Sequence, residues 1–166
     1  MEKQHALQRL EQLQKKLYAI HYACSAMNLD ADTVAPKNTS EGRGVALGVL
    51  AGEEQQLMIC PETRALLDEL DRQKDELDLL HRREVEELRR RCDQLTRIPA
   101  EEYIAYSELV NKAGDVWHKA KEKDDFAMFC PLLQELVEYN RKFAAYYDST
   151  RAPYDALLNE YERGVD

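Results

Sequence analysis

The sequence contains little glycine and proline, six and five residues among 166, and no low-complexity linker. That scarcity argues against a chain dominated by turns, and the 33% of charged residues suits a helical, soluble protein. No segment shows convincing two-residue alternation of apolar and polar side chains, so strands are not expected. The length suits a single helical domain, residues 1–166, with enough chain to bury a real core.

Long apolar runs are missing as well. The longest, Val45 to Ala51, is far too short to cross a bilayer. Residues 1–5 are not followed by the apolar core of a signal peptide. We therefore expect a cytoplasmic protein that makes no membrane contact.

An excess of basic charge is absent too. There are 32 acidic residues against 23 basic ones, a net charge of −9, and such a surface repels phosphate backbones. We therefore expect no nucleic-acid partner. Five arginines lie within residues 82–91, but three glutamates are interleaved with them, which favours a solvated helix face with paired charges over a basic patch.

Cysteine pairs at metal-binding or redox spacing are also lacking. No two of the four cysteines are separated by only two residues. In the cytosol such cysteines are expected to be reduced and buried as small apolar residues. They are Cys24, Cys60, Cys92 and Cys130.

Apolar residues at alternating spacings of three and four predict a long first helix from about Lys3 to Leu29. A break is expected over Asp30–Asn38, which contains Pro36. The second helix is predicted to begin near Thr39 or Ser40. The apolar stripe of the first helix consists of Leu10, Leu13, Leu17, Ile20, Cys24 and Met27.

Three glycines, Gly44, Gly48 and Gly52, recur every four residues in the second helix. Each costs about 1 kcal/mol relative to alanine inside a helix, so a common glycine face predicts that another backbone approaches closely there. A phosphate-cradling loop is excluded because no strand precedes these glycines.

Prolines and acidic caps divide the rest of the chain into further helices. The predicted boundaries are Pro61 for the third helix, Gln73–Glu76 for the link to the fourth, Pro99 to about Lys121 for the fifth, Asp124 or Asp125 as the cap of the sixth, and Pro153 for the seventh. A kink or restart is expected at Pro131.

The inner faces of these helices follow from apolar spacing. They are Leu66, Leu67 and Leu70 in the third helix; Leu77, Leu80, Val85, Leu88, Cys92 and Leu95 in the fourth; Tyr103, Leu109, Val110, Ala113 and Trp117 in the fifth; and Phe126, Phe129, Leu133, Leu136, Val137, Phe143 and Tyr147 in the sixth. The fold class is therefore predicted to be all-α, a helical bundle of about six to seven helices supported by the long first helix.

The segment at residues 153–164 reads Pro-Tyr-Asp-Ala-Leu-Leu-Asn-Glu-Tyr-Glu-Arg-Gly. It closely resembles the segment that closes the N-terminal helical region of the thermostable (Taq-type) metallocarboxypeptidases. Leu29 stands where that family has tryptophan, and Arg163 stands where it commonly has proline. Other segments resemble the family in the same order: residues 29–36 with Glu41 and Arg43, residues 97–101, Trp117 with Ala120, and residues 124–133.

The resemblance implies the N-terminal, cleft-covering helical region of a cytosolic, homodimeric carboxypeptidase that depends on zinc or cobalt. The family's metal-binding His-Glu-x-x-His helix comes after this region and is absent from this sequence. No two histidines here are three or four residues apart, and they are His5, His21, His81 and His118. We therefore expect no catalytic residue, metal ligand or bound cofactor in this chain, and no peptide hydrolysis by it alone.

Two Asp-x-x-His pairs keep a different metal hypothesis open. Asp78 with His81 and Asp115 with His118 place a carboxylate and an imidazole three residues apart on separate helices. Di-iron bundles use Glu-x-x-His pairs with two further glutamates, whereas the acid here is the shorter aspartate. The alternative is two solvated histidines, and about two irons per purified chain would favour the metal site.

Paired acidic residues and clustered tyrosines are the last candidates for functional residues. Glu53–Glu54 and Glu101–Glu102 are predicted to be solvated rather than to act in acid–base catalysis. Tyrosines near the C-terminus are expected to form a half-buried surface that contacts a catalytic body or drives self-association. They are Tyr139, Tyr146, Tyr147, Tyr154 and Tyr161.

Three hypotheses therefore remain open. In the first hypothesis, the chain is a fragment of a longer hydrolase, whose partner is the catalytic region. In the second, it is a free-standing, non-catalytic binding or assembly module derived from that family, with another protein or a second copy as partner. In the third hypothesis it is an unrelated helical bundle with its own carboxylate and histidine metal site.

Overall fold

The computed structural model describes residues 2–36 and 38–162, which form seven α-helices and a 3-10 turn at Lys74–Glu76, with no strand among them. The predicted all-α fold is confirmed. None of the helices in this part of the chain has the length and apolar character needed to span a bilayer. The helices are α1 (Glu2–Thr33), α2 (Ser40–Ile59), α3 (Pro61–Arg72), α4 (Leu79–Arg97), α5 (Ala100–Glu122), α6 (Phe126–Tyr147) and α7 (Pro153–Tyr161).

Two predicted features fall outside this description. Arg163 and Gly164, the end of the C-terminal motif, lie beyond the described residues. The side chain of Tyr161, one of the clustered tyrosines, is also outside them.

The first helix is longer than the sequence predicts. It continues past Leu29 to Thr33, whose hydroxyl donates a 2.6 Å hydrogen bond to the carbonyl of Leu29. The carbonyl of Asp30 accepts the next backbone N–H groups, those of Val34 and Ala35. The helix therefore ends one turn later than predicted. Pro36 disfavours the α-helical conformation of the residue before it, which limits the helix at this point.

Pro131 does not restart α6 as a new helix, because the helix is continuous from Phe126 to Tyr147, and a kink at Pro131 stays a prediction. Pro131 is the sixth residue of the helix, and its missing N–H would have bonded to the carbonyl of Ala127. Ala127 is exposed, so water can solvate that carbonyl and the cost of the missing bond is small.

The turn between α5 and α6 both ends one helix and starts the next. Asp124 adopts a left-handed φ of 51°, and the backbone N–H of Asp125 donates to the carbonyl of Ala120 at 2.9 Å. This is the Schellman arrangement that satisfies the last carbonyls of a helix. The carboxylate of Asp125 then accepts the backbone N–H of Met128, capping α6 as the sequence predicts.

Replacement of this cap tests how much α6 depends on it. Asp125→Ala removes the only side-chain acceptor described at the first turn of α6, and we expect it to lower the free energy of unfolding by about 1 kcal/mol. Asp125→Asn is the matched control, because asparagine still accepts the N–H of Met128. Urea unfolding followed by far-UV circular dichroism measures both, and equal losses would contradict the capping role.

The described residues divide into two compact units, and the first consists of Met1–Ala35 and Leu50–Thr96. Within it α1 packs on α3. The predicted inner leucines of α1 and α3 are buried, and so are three of the inner residues predicted for α4. These core residues are Leu10, Leu13, Leu17, Leu66, Leu67, Leu70, Val85, Cys92 and Leu95.

The prediction that Leu80 joins the inner face of α4 is wrong, because its side chain is 67% exposed. It lies five residues before Val85, which places it about 140° away around the helix. Leu77, which precedes α4, is buried as predicted.

The arginine-rich segment of α4 carries paired charges. Arg83 bonds Glu86 within the helix at 2.8 Å, and Arg89 reaches Asp68 of α3 at 2.9 Å. Both pairs are largely exposed, so they add little stability. They match the predicted solvated face with paired charges and do not form a basic patch.

The second unit consists of Pro36–Val49 and Arg97–Asp166. Here α5 packs on α6, and α6 packs on α7. The buried side chains of Leu109, Ala113 and Leu132 form its core cluster. Next to this cluster, the ring of Phe143 meets that of Tyr106 edge to face, with centroids 5.0 Å apart.

The inner face predicted for α5 is only partly correct. Leu109 and Ala113 are buried as predicted, whereas Val110 and Trp117 are exposed. Val110 directly follows Leu109, so it lies about 100° further around the helix, away from the core cluster.

Candidate functional site

The first Asp-x-x-His pair caps a helix. Asp78 immediately precedes α4 and accepts the backbone N–H of His81 at 3.0 Å, while its other oxygen lies 2.7 Å from His81 Nδ1. These hydrogen bonds, the backbone one first, hold the pKa of Asp78 below its usual value. The spacing of three residues therefore has a structural explanation that needs no metal.

In the second pair, Asp115 and His118 each have a contact outside the pair. Asp115 accepts a hydrogen bond from Arg43 at 2.8 Å. The ring of His118 lies edge to face against Trp117, with centroids 4.8 Å apart. In residues 2–36 and 38–162, no three or more His, Cys, Asp or Glu side chains lie together as a metal site would require. The side chains in these ranges therefore do not fit the metal of a metallopeptidase.

A buried carboxylate in the first unit was missed by sequence reasoning. Glu54, predicted to be solvated, is only 7% exposed. His21 Nε2 of α1 lies 2.9 Å from its Oε1, and Arg91 of α4 donates to the same oxygen. Burial first, and then the negative charge of Glu54, raise the pKa of the neighbouring Cys24 thiol.

The sequence did carry a signal for this carboxylate. Glu54 follows Ala51 by three residues and precedes Met58 by four, so it shares the buried side of α2 with both. In the other acid pair, Glu101 is exposed as predicted, whereas Glu102 is partly buried and accepts a hydrogen bond from Tyr146 at 3.2 Å.

In the second unit, one arginine from a family-like segment joins α2 to α5. Arg43 Nε donates to Asn111 Oδ1 and its Nη2 donates to Asp115 Oδ1, both at 2.8 Å. The amide of Asn111 in turn donates to the backbone carbonyl of Ser40 at 2.9 Å. We call Arg43, Asn111, Asp115 and Ser40 the Arg43 network. The network gives Arg43, three residues after the start of α2, the role of linking α2 to α5.

At Gly44 and Gly48 the glycine face of α2 meets side chains rather than another backbone, which corrects the prediction at these two positions. A Cβ atom added at Gly44 would lie 3.0 Å from Asn111 Nδ2, and one added at Gly48 would lie 2.8 Å from Glu108 Oε1. The glycines therefore make room for side chains of α5, among them the Asn111 of the Arg43 network.

Alanine substitutions separate close packing from helix propensity. Gly44→Ala should lower stability by about 1 kcal/mol, because Asn111 is held by Arg43 and Ser40 and cannot move away. Gly42→Ala is the matched control: nothing lies within 4 Å of its added Cβ, so it should gain up to about 1 kcal/mol. Urea midpoints compare the two, and a gain for Gly44→Ala would show that Asn111 is free to shift.

A surface pocket lies at the turn between α5 and α6, with a volume of about 250 Å³. Two family-like segments meet there, one carrying Trp117 and Ala120 and the other carrying Phe126 and Phe129. The ammonium of Lys121 lies 5.0 Å from the centroid of the Trp117 ring. Aromatic walls with a few charges at the rim suit an apolar side chain. The lining residues are Trp117, Ala120, Lys121, Asp124, Asp125, Phe126 and Phe129.

The buried side predicted for α6 includes several residues that are exposed in the structure. Phe143 is buried, and Phe129 and Leu136 pack against the core cluster. Leu132, which the spacing does not place inside, is buried instead of its neighbour Leu133. Four apolar residues of α6 that are predicted to be buried are exposed: Phe126, Cys130, Leu133 and Val137.

Comparisons with known proteins agree on one family. Residues 9–166 match the family described as Carboxypeptidase Taq (M32) metallopeptidase. Carboxypeptidase 1 of Bacillus subtilis strain 168 is 36% identical over 147 residues, covering 87% of this chain and 29% of that protein. Thermostable carboxypeptidase 1 of Pyrococcus furiosus is 31% identical over 151 residues, covering 91% of this chain and 30% of that protein.

Solved structures show the same relationship. The BsuCP crystal structure superposes with a TM-score of 0.93 at 33% identity, covering 98% of this chain and 33% of that one. Metallocarboxypeptidase 1 of Trypanosoma cruzi superposes with a TM-score of 0.74 at 31% identity, covering 97% of this chain and 32% of that one. The chain spans about 30% of the length of the curated relatives it matches. It belongs to the Taq-type (M32) metallocarboxypeptidase family.

Proposed function

We propose that this chain is the N-terminal helical region of a metal-dependent carboxypeptidase, a hydrolase that removes residues from the C-terminus of peptides. The superposition on BsuCP carries the proposal, because 98% of this chain matches one third of that chain at a TM-score of 0.93. In this role the helices form part of the substrate cleft and do not supply the reacting groups.

The metal chemistry belongs to another part of such an enzyme. A bound zinc or cobalt ion would polarise the scissile carbonyl and activate water. The described residues of this chain provide no cluster of three or more potential ligands for it. What these residues do supply is hydrogen bonds between helices within each unit, through the Arg43 network and the buried carboxylate of Glu54.

A chimera tests this proposal. Residues 9–166 replace the matched region of Bacillus subtilis carboxypeptidase 1, and hydrolysis of a short peptide is measured with added zinc or cobalt. We expect activity in the chimera and none in the 166-residue chain. Turnover by the chain alone would overturn the placement of the active site elsewhere. A folded but inactive chimera beside an active parent would overturn the N-terminal role and favour the binding-module hypothesis.

The setting of such an enzyme is part of the proposal. The chain would act in the cytoplasm as part of a homodimer, as the family resemblance implies. Its net charge of −9 supports a role without nucleic acid. Size-exclusion chromatography with light scattering on the chimera measures the subunit number, and a strictly monomeric active chimera would remove the dimer from the proposal.

A further inference from the structure

One face of α6 carries apolar residues that remain exposed among the described residues. Phe126 is 65% exposed, Leu133 37% and Val137 41%, and Cys130 is also exposed. These four residues follow one another at spacings of four, three and four, so they lie on one line along the helix. We call them the outer stripe.

The outer stripe is distinct from the face that packs on α5. At about 100° per residue, it lies roughly a third of a turn away from the face containing Leu132 and Leu136. A third face carries the exposed pair Gln134 and Glu138, which are hydrogen-bonded to each other at 3.3 Å. The helix therefore has a solvent face already, and the outer stripe is an additional apolar face.

The Trp117 pocket continues this surface. Phe126 begins the outer stripe and also lines the pocket beside Trp117, which is itself exposed. Phe126 and Leu133 occupy positions of the family-like Asp-Phe-x-x-Phe-x-Pro-x-Leu segment. A line of apolar side chains that ends in an aromatic pocket is a surface suited to receive another packed segment.

We propose that the outer stripe and the Trp117 pocket are the docking surface for the remaining two thirds of a full-length chain of this family. The inference rests on the proposed function. The argument for this occupant is chain length: the matched BsuCP chain contains the same helices in one third of its residues, so twice as much polypeptide is available there to pack against them. In this proposal, Leu133 and Val137 are interface residues that contact the remaining two thirds of the full-length chain.

Cys130 provides a natural probe because it lies within the outer stripe. N-ethylmaleimide labelling, read by peptide mass spectrometry, is compared between the 166-residue chain and the chimera described above. We expect Cys130 to react at least about tenfold more slowly in the chimera, since a covered thiol reacts only through local opening. The matched control is Glu138→Cys on the polar face of the same helix, which should react at the same rate in both proteins.

A double substitution provides a second, independent test. Leu133→Lys with Val137→Lys should leave the urea midpoint of the 166-residue chain nearly unchanged and lower that of the chimera. Gln134→Lys is the control and should be neutral in both. The labelling result decides even where the double variant fails to fold in the chimera.

The outcomes separate the two proposals. Equal labelling of Cys130 in an active chimera would overturn the docking surface and leave the proposed function standing. Self-association of the 166-residue chain that the double lysine variant abolishes would make a second copy the occupant, and would also overturn the docking surface. An inactive, folded chimera bears on the proposed function alone.

Discussion

Arg43→Leu is expected to lower the free energy of unfolding by about 3 kcal/mol, because it leaves two hydrogen-bond acceptors of α5 without a donor. The guanidinium is only 10% exposed and donates to Asn111 and Asp115, which has 30% of its side chain exposed. Leucine fills the space but leaves both acceptors without a donor in a poorly solvated place. Urea unfolding of the 166-residue chain measures the loss.

Three companion variants identify its cause. Arg43→Lys keeps the charge but cannot bond Asn111 and Asp115 together, so an intermediate loss is expected. Arg43→Leu combined with Asp115→Leu should recover part of the loss, because both charges are then removed. Glu41→Ala, at an exposed position in the same first turn, is the neutral control. A loss for Arg43→Leu no greater than that for Glu41→Ala would contradict the network.

Arg91→Leu is expected to cost about 2 kcal/mol, because it removes one of the two hydrogen-bond partners that the described residues give the buried carboxylate of Glu54. The figure is smaller than for Arg43 because the Arg91 side chain is 44% exposed and its charge is partly screened by water. Thermal unfolding at low ionic strength and neutral pH measures this loss.

The reverse deletion should behave differently. Glu54→Leu leaves His21 and Arg91, each close to half exposed, free to reach water, so a loss below about 1 kcal/mol is expected. The same variant removes a negative charge near Cys24 and should lower the pKa of that thiol. Equal losses for Arg91→Leu and Glu54→Leu would show that burial of Glu54 is not the source of the asymmetry.

Local signals made most of the fold predictable. Pro61 and Pro153 start helices, and Asp125 caps one, because these residues act on backbone groups within one turn of themselves. The buried leucines of α1 and α3 followed from spacing for the same reason. Family membership likewise rested on short segments that can be read in order along the chain.

Features that depend on residues far apart in sequence could not be predicted from local sequence signals. The hydrogen-bond partners of the buried Glu54 are 33 and 37 positions away in sequence, while the adjacent Glu53 is exposed. In α6, Leu132 and Leu133 are both leucine, and only packing against α5 decides which of them is inside. Both stripes of α6 have helical spacing, so one sequence cannot show that the second stripe faces away from the core.

The short turn at Asp124 and Asp125 has a consequence for the order of folding. It joins α5 and α6, whose packing therefore requires the closure of only a very short loop, at little cost in chain entropy. In the first unit, α1 must instead find α3 across nearly thirty residues, from Thr33 to Pro61. We therefore expect the α5–α6 hairpin to form earlier in folding than the contact between α1 and α3.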